Sequence, residues 1–342
     1  MQAKRGRLWG KVAATACVLA MAGAGAFCWF WTDRPTLQDI QASNWSEPLP
    51  SADGQSEIRV TWWGVATLLF DDGETQILID GYFTRVGVWE LATARPVSPD
   101  GKAIDSALDR LGATRVRAIV PVHSHFDHMM DTAEVAKRTG AIVVGSRSTA
   151  TFNLGMGLPS KQMVTLPKEG GTRKFGRFEI ELRRSLHAPL SPKGGPRFPG
   201  EIELAFSYPA PVSSWREGGS YTVILRHPAG TIVVQGSAGF VPGALKDVKA
   251  DVVFLGIGGL IRIGEPHFRN YWREVVRATG APHVVPVHYD DLTRPADAPA
   301  IGFFPRMIDD APTVIGWMQE QTDADVSLIP WREPIVLLSA KP

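Results

Sequence analysis

Residues 123–128 read His123-Ser-His125-Phe-Asp127-His128, and this hexapeptide constrains the chain more than any other feature. Four side chains able to ligate a metal fall within six positions, directly after the apolar run Ala118-Ile-Val-Pro-Val122. Imidazole nitrogens and a carboxylate are the donors that divalent zinc accepts, with water filling an open position. On one long helix the four would spread around much of the circumference, so the spacing predicts a tight loop at the end of a buried strand. The alternatives are a solvated His-rich loop and a single structural zinc. Both leave the remaining histidines of the chain unexplained.

Those histidines have a pattern. Of eight in the chain, His187 follows Ile180-Glu-Leu-Arg-Arg-Ser-Leu186 and His288 follows Val284-Val-Pro-Val287. Each stands where an apolar strand is expected to emerge, so both can converge with the hexapeptide at one sheet edge. His227, His267 and His283 carry weaker signals, and structural roles are expected for His227 and His283.

The chain of 342 residues is 44 % apolar and 21 % charged, values of a globular protein with a sizeable core. Its net charge of +1 is uneven: Lys4, Arg5, Arg7 and Lys11 precede the first acid, Asp33. Removing those four charges from +1 leaves −3, which argues against a general nucleic-acid binder. The uncharged run at 12–31 predicts an apolar helix, read as a signal anchor or a cleavable signal peptide. The expected location is then inner-membrane anchored with a periplasmic catalytic domain, or exported to the periplasm. Membrane attachment is expected through that helix if it is uncleaved. Both cysteines, Cys17 and Cys28, lie in this leader, so no thiol is available further on.

The expected division is a leader at 1–31, a Pro-containing linker at 32–56 and one catalytic domain at 57–342. Strand patterns recur at 58–62, 67–70, 76–79, 118–122, 141–144, 178–182, 202–206, 221–225, 231–234, 251–255, 283–287 and 334–338. Helical spacing is expected at 103–111, 132–138, 268–279 and 313–320. Early hairpins followed by alternating strands and helices predict stacked sheets covered by helices.

Taken together, Trp62-Trp-Gly-Val-Ala-Thr-Leu-Leu-Phe70, Ile77-Leu-Ile-Asp80, the 123–128 hexapeptide, His187 and Pro286-Val-His288-Tyr-Asp290 resemble the metallo-β-lactamase superfamily. The opening hairpins resemble its UlaG-like and N-acylphosphatidylethanolamine phospholipase D-like branch. The likeness covers nearly everything from Ile58 to Leu338. It implies a four-layer αββα sandwich with hydrolytic metal chemistry. By this resemblance one metal takes His123, His125 and His187, and a second takes Asp127, His128 and His288. Asp80 is expected either to hydrogen-bond a ligand histidine or simply to close the turn after Ile79, and Asp127 either to orient water or accept a proton besides binding metal, or to be a ligand alone.

The pattern is broken at one place. Val234-Gln-Gly-Ser237-Ala-Gly239 carries Ser237 where relatives carry a bridging carboxylate, leaving it at most a weak ligand. One or two zinc ions, or another divalent metal, are expected. The resulting expectation is a zinc-dependent hydrolase acting on a small molecule, a phosphodiester or a lipid-like substrate. The alternatives are another hydrolase of this fold such as a lactonase, an iron redox enzyme, and a noncatalytic metal-binding envelope protein. No flavin module accompanies the chain to support the redox reading.

Overall fold

The computed structural model describes residues 21, 23, 25, 28–190, 194–295 and 298–340. Among them, sixteen strands form two eight-stranded sheets that pack face to face. The first sheet runs Ser43–Asn44, Asp325–Leu328, His283–Val287, Val252–Gly256, Gly230–Gln235, Tyr221–His227, Phe178–Arg184 and Gly170–Phe175. Its first five strands pair in parallel and the remaining pairings are antiparallel. The second sheet runs Leu49–Pro50, Ile335–Ser339, Ile58–Trp62, Leu68–Asp71, Gln76–Ile79, Val116–Val120, Ile142–Gly145 and Met163–Thr165. Antiparallel hairpins at its centre give way to parallel strands beyond Gln76–Ile79.

The core explains the sequence pattern. Strands such as Val252–Gly256 are buried along their whole length, so they read as continuous apolar runs rather than alternating ones. Between the sheets, Val60, Phe70, Ile79 and Val120 share one cluster with Leu182, Val223, Val233, Phe254 and Val285. Helices Gly101–Leu111 and Thr132–Thr139 cover the outer face of the second sheet, burying Ile104, Ala107, Val135 and Ala136 against Leu78, Ile119 and Val143. Phe268 and Trp272 of Glu265–Trp272, with Val314 and Ile315 of Ala311–Gln319, join the main cluster. The result is an α/β sandwich with mixed sheets.

Several local expectations change. The strand expected at 202–206 does not form: this stretch is irregular, and the Ile202 amide N–H donates to Ser148 Oγ at 2.9 Å. A neighbouring side chain thus takes the bond a strand ladder would have made. The helix expected at 268–279 begins earlier, at Glu265, and continues past Trp272 as a π-helical turn over Arg273–Arg277. Residues 43–44 and 49–50, within the expected linker, each add a short parallel strand to the edge of a different sheet.

The N-terminal expectation is corrected as well. No helix among the described residues is long and apolar enough to cross a membrane. Of the residues described before the domain, 21, 23, 25 and 28–32 are helical. The basic n-region and most of the apolar run at 12–31 lie outside the described residues. Among the described residues, the signal-anchor, membrane-attachment and inner-membrane readings therefore have no spanning helix to rest on.

Candidate metal centre

Strand Val116–Val120 is buried and parallel to Gln76–Ile79, and both end at the same edge. The chain leaves the first through Pro121 and Val122 to His123. His125 is the N-cap of a single helical turn, Phe126–Met129, which carries Asp127 and His128. Half of the hexapeptide is thus the expected loop, and the other half is helical. Asp127 and His128, neighbours on this turn, bring their donor atoms together with that of His288.

His187 arrives from the end of Phe178–Arg184 and His288 from the end of His283–Val287. The six side chains assemble into two groups. His123, His125 and His187 form one, and Asp127, His128 and His288 the other, with donor atoms within 4.8 Å of one another in each. His123 Nε2 and His125 Nδ1 stand 3.0 Å apart. Asp127 Oδ2 lies 3.6 Å from His128 Nε2 and 3.5 Å from His288 Nε2.

Neighbouring groups orient these donors. Asp80 Oδ2 lies 2.7 Å from His128 Nδ1, and its Oδ1 accepts the Val122 amide at 2.9 Å. One carboxylate thereby fixes both the imidazole and the chain entering the hexapeptide. His187 Nδ1 donates to the Ala188 carbonyl at 2.7 Å, leaving Nε2 for a ligand. His123 has no such partner: its Nδ1 is buried without a hydrogen bond, and neighbouring rings hold it in place.

Three positions around the two groups have unusual backbone. Asp80, His288 and Val65 have φ of 58°, 59° and 49°, a region that β-branched valine rarely enters. Asp290 holds this arrangement. Its Oδ1 accepts the Val65 amide at 2.6 Å, its Oδ2 pairs with buried Arg85 at 2.9 Å, and the Val65 carbonyl accepts the His288 amide at 2.8 Å. Gly258 packs so close that a Cβ would stand 2.7 Å from His288 Nδ1.

Burial governs the charges. It pushes the His125 and His187 pKa values down to about 4 and that of His123 well below its ordinary value, so their lone pairs are free near neutrality. Burial opposes ionisation of Asp127 too, but the surrounding His128 and His288 outweigh it and keep the carboxylate ionised. Buried His123, His125 and His187, neutral near pH 7, beside an ionised carboxylate form a donor set that fits divalent cations.

Comparison with known proteins agrees with this geometry. No protein-family model matches the chain. A metal-dependent hydrolase of family UPF0173 from Pyrobaculum islandicum is 26 % identical over 242 residues, 68 % of this chain and 84 % of that protein. Its counterpart from Myxococcus xanthus is 29 % identical over 247 residues, covering 70 % and 73 %. One from Heliobacterium modesticaldum is 30 % identical over 130 residues, 38 % of this chain, and here the match spans about half of the relative, 45 %. The solved isothiocyanate hydrolase from Delia radicum gut bacteria superposes with a TM-score of 0.50 at 13 % identity, covering 82 % of this chain and all of that one, a likeness of fold. Over two thirds of its length the chain is thus similar in sequence to UPF0173 metal-dependent hydrolases, and it shares the fold of a solved hydrolase.

In this α/β sandwich both groups open on a pocket of about 190 Å³. His125, Asp127, His187 and His288 line it, as does Ser237. Ser237 is in neither donor group; its Oγ accepts the Ala188 amide at 3.0 Å. Asp131, Asp290, His227 and His267 make structural contacts: the Phe83 and Thr84 amides, Arg85, Asp72 and the Ala238 carbonyl respectively.

The pocket residues that sequence reasoning missed include Arg197, Phe198, Arg262 and Asp309. Phe198 and Arg197 belong to the 188–200 stretch, whose Pro/Gly-rich composition is the one signal that could have pointed to them. Arg262 and Asp309 had no local signal. Asp309 Oδ2 accepts the Gly259 amide at 2.8 Å while Oδ1 is buried without a partner, and burial lifts its pKa to about 6.

Proposed function

We propose that this metal-dependent hydrolase cleaves a phosphodiester or a lipid-like small molecule at two divalent cations, zinc being the first candidate. Within that reading, residues 57–342 are the catalytic domain, His123, His125 and His187 hold one ion, and Asp127, His128 and His288 hold the other. The observation that carries it is the pair of donor groups on one pocket whose other walls are apolar and cationic. Divalent cations supply Lewis acidity and acidify water toward neutral pH, and a pair of them steadies both attacking and leaving oxygens.

The chain's own groups divide the remaining work. Asp127, ionised between the histidines, holds a water by hydrogen bonding and takes its proton. Arg197 and Arg262 face an anionic group such as a phosphoryl. Leu190, Phe198, Leu292 and Ile308 offer an apolar wall for a chain or ring. This combination favours a phosphodiester with an apolar substituent, in line with the phospholipase D-like resemblance of the opening hairpins.

The test is turnover of bis(p-nitrophenyl) phosphate beside p-nitrophenyl butyrate by zinc-loaded protein. Diester hydrolysis that is abolished by chelation and by His125→Ala is expected. Cleavage of the carboxylic ester alone, or diester turnover that survives His125→Ala, overturns the proposal.

A further inference from the structure

Strand Val252–Gly256 passes into the short helix Leu260–Ile263 through Gly256-Ile-Gly-Gly259, a turn whose glycines let it approach its neighbours closely. A Cβ on Gly256 would stand 2.8 Å from the Gly236 backbone. One on Gly258 would stand 2.6 Å from the His288 carbonyl oxygen and 2.7 Å from its Nδ1. Gly259 has a φ of 74°, in the left-handed region that favours glycine. The turn is therefore pressed against the backbone and the ring of a donor residue, with no side chain between them.

His288 depends on this contact more than its fellow donors do. Asp80 faces His128 Nδ1, and the Ala188 carbonyl accepts from His187 Nδ1. His288 Nε2 faces Asp127 at 3.5 Å, but no hydrogen-bonding partner meets its Nδ1 among the described residues, where Gly258 lies instead. The turn itself is held at both ends. The Tyr271 hydroxyl donates to the Gly256 carbonyl at 3.1 Å, and Asp309 Oδ2 accepts the Gly259 amide at 2.8 Å. Asp309 closes a second tight turn, in which the Pro305 carbonyl accepts the Ile308 and Asp309 amides at 2.7 and 3.1 Å. It is 7 % exposed, and its Oδ1 has less than 1 Å² of surface and no partner. An oxygen so enclosed does not reach a substrate. Burying a carboxylate is costly, and the one hydrogen bond its side chain makes among the described residues goes to the turn behind His288.

We propose that Asp309 is a positioning residue for His288: by holding the Gly259 amide it keeps Gly258 against the imidazole, and so keeps Nε2 directed toward Asp127. It acts through a hydrogen bond to the backbone and not through its charge, whereas Asp80 contacts its histidine directly. The proposal rests on the reading that Asp127, His128 and His288 hold one divalent cation.

The test is a zinc titration of the full-length protein against a chromophoric chelator, resolved into two steps, with His125→Ala and His288→Ala marking which step belongs to which donor group. Asp309→Ala is expected to weaken the step that His288→Ala removes by about tenfold or more, and to leave the other within about twofold. Asp309→Asn is expected to bring the weakened step back to within about threefold of wild type, because the amide oxygen still accepts the Gly259 N–H. Gly258→Ala, whose methyl displaces the ring, is expected to reproduce the selective loss. Should Asp309→Ala not fold, Asp309→Leu takes its place, filling the same space without an acceptor. Equal weakening of both steps, the mark of a merely structural role, overturns the proposal. So does unaltered affinity on loss of the acceptor, or an asparagine variant as weak as the alanine one. If His288→Ala removes no step, the metal reading and the proposal fail together. If it removes a step that Asp309→Ala leaves intact, the proposal alone fails.

Discussion

The Ser237 hydroxyl oxygen accepts the Ala188 amide N–H at 3.0 Å, one residue beyond His187. The Ser237 side chain thereby ties down the loop that carries a histidine of the first donor group. His187 itself donates to the Ala188 carbonyl, so both backbone groups flanking that peptide are engaged. Removing the hydroxyl frees the loop. Ser237→Ala is expected to weaken metal binding by about fivefold to tenfold, the value of one hydrogen bond acting through a ligand's position. A competition titration with a chromophoric chelator measures it. Unaltered affinity would mean that the tether does not position His187.

Asp80 acts on the second group. Its contact with His128 Nδ1 selects the tautomer that leaves Nε2 toward Asp127 and His288. Asp80→Asn keeps the size and the hydrogen bond to the Val122 amide but removes the charge. Metal affinity is expected to fall by about tenfold to a hundredfold, with little change in the circular dichroism spectrum. The same titration, resolved into two steps, is expected to show the loss in only one of them.

The depressed histidines make the metal-free protein acid-sensitive. His125 has its ordinary pKa of 6.5 when unfolded and about 4 when folded, so between these values the unfolded chain binds more protons. Stability therefore falls as pH drops from about 6.5 toward about 4. For His125 the loss between pH 7 and pH 5 is roughly 2 kcal/mol. Urea unfolding of metal-free protein at the two pH values checks this. His125→Ala is expected to reduce the difference by about that amount, and an undiminished difference would show that other groups cause it.

Legibility in the sequence followed distance along the chain. His123, His125, Asp127 and His128 are adjacent, so their chemistry stands out in one glance. His187 and His288 were found because a lone histidine after a buried apolar run is a local signal, and the resemblance then grouped them. Asp309 and Arg262 reach the same pocket from segments that show no periodicity, and only tertiary packing reveals them. The strands of both sheets were visible where burial was continuous or a turn was marked, as at Asp71-Asp-Gly73. Gly170–Phe175, mostly polar and at a sheet edge, gave no such pattern. The helix expected to span a membrane was the largest departure: apolar composition alone suggested it, and no spanning helix occurs among the described residues.

Bound metal per chain, measured by elemental analysis on zinc-reconstituted protein, tests the central claim most directly. The account expects about two ions in the wild type and about one in each of His125→Ala and His288→Ala, since these residues belong to different donor groups. One ion or none in the wild type, or two retained in either variant, would contradict it.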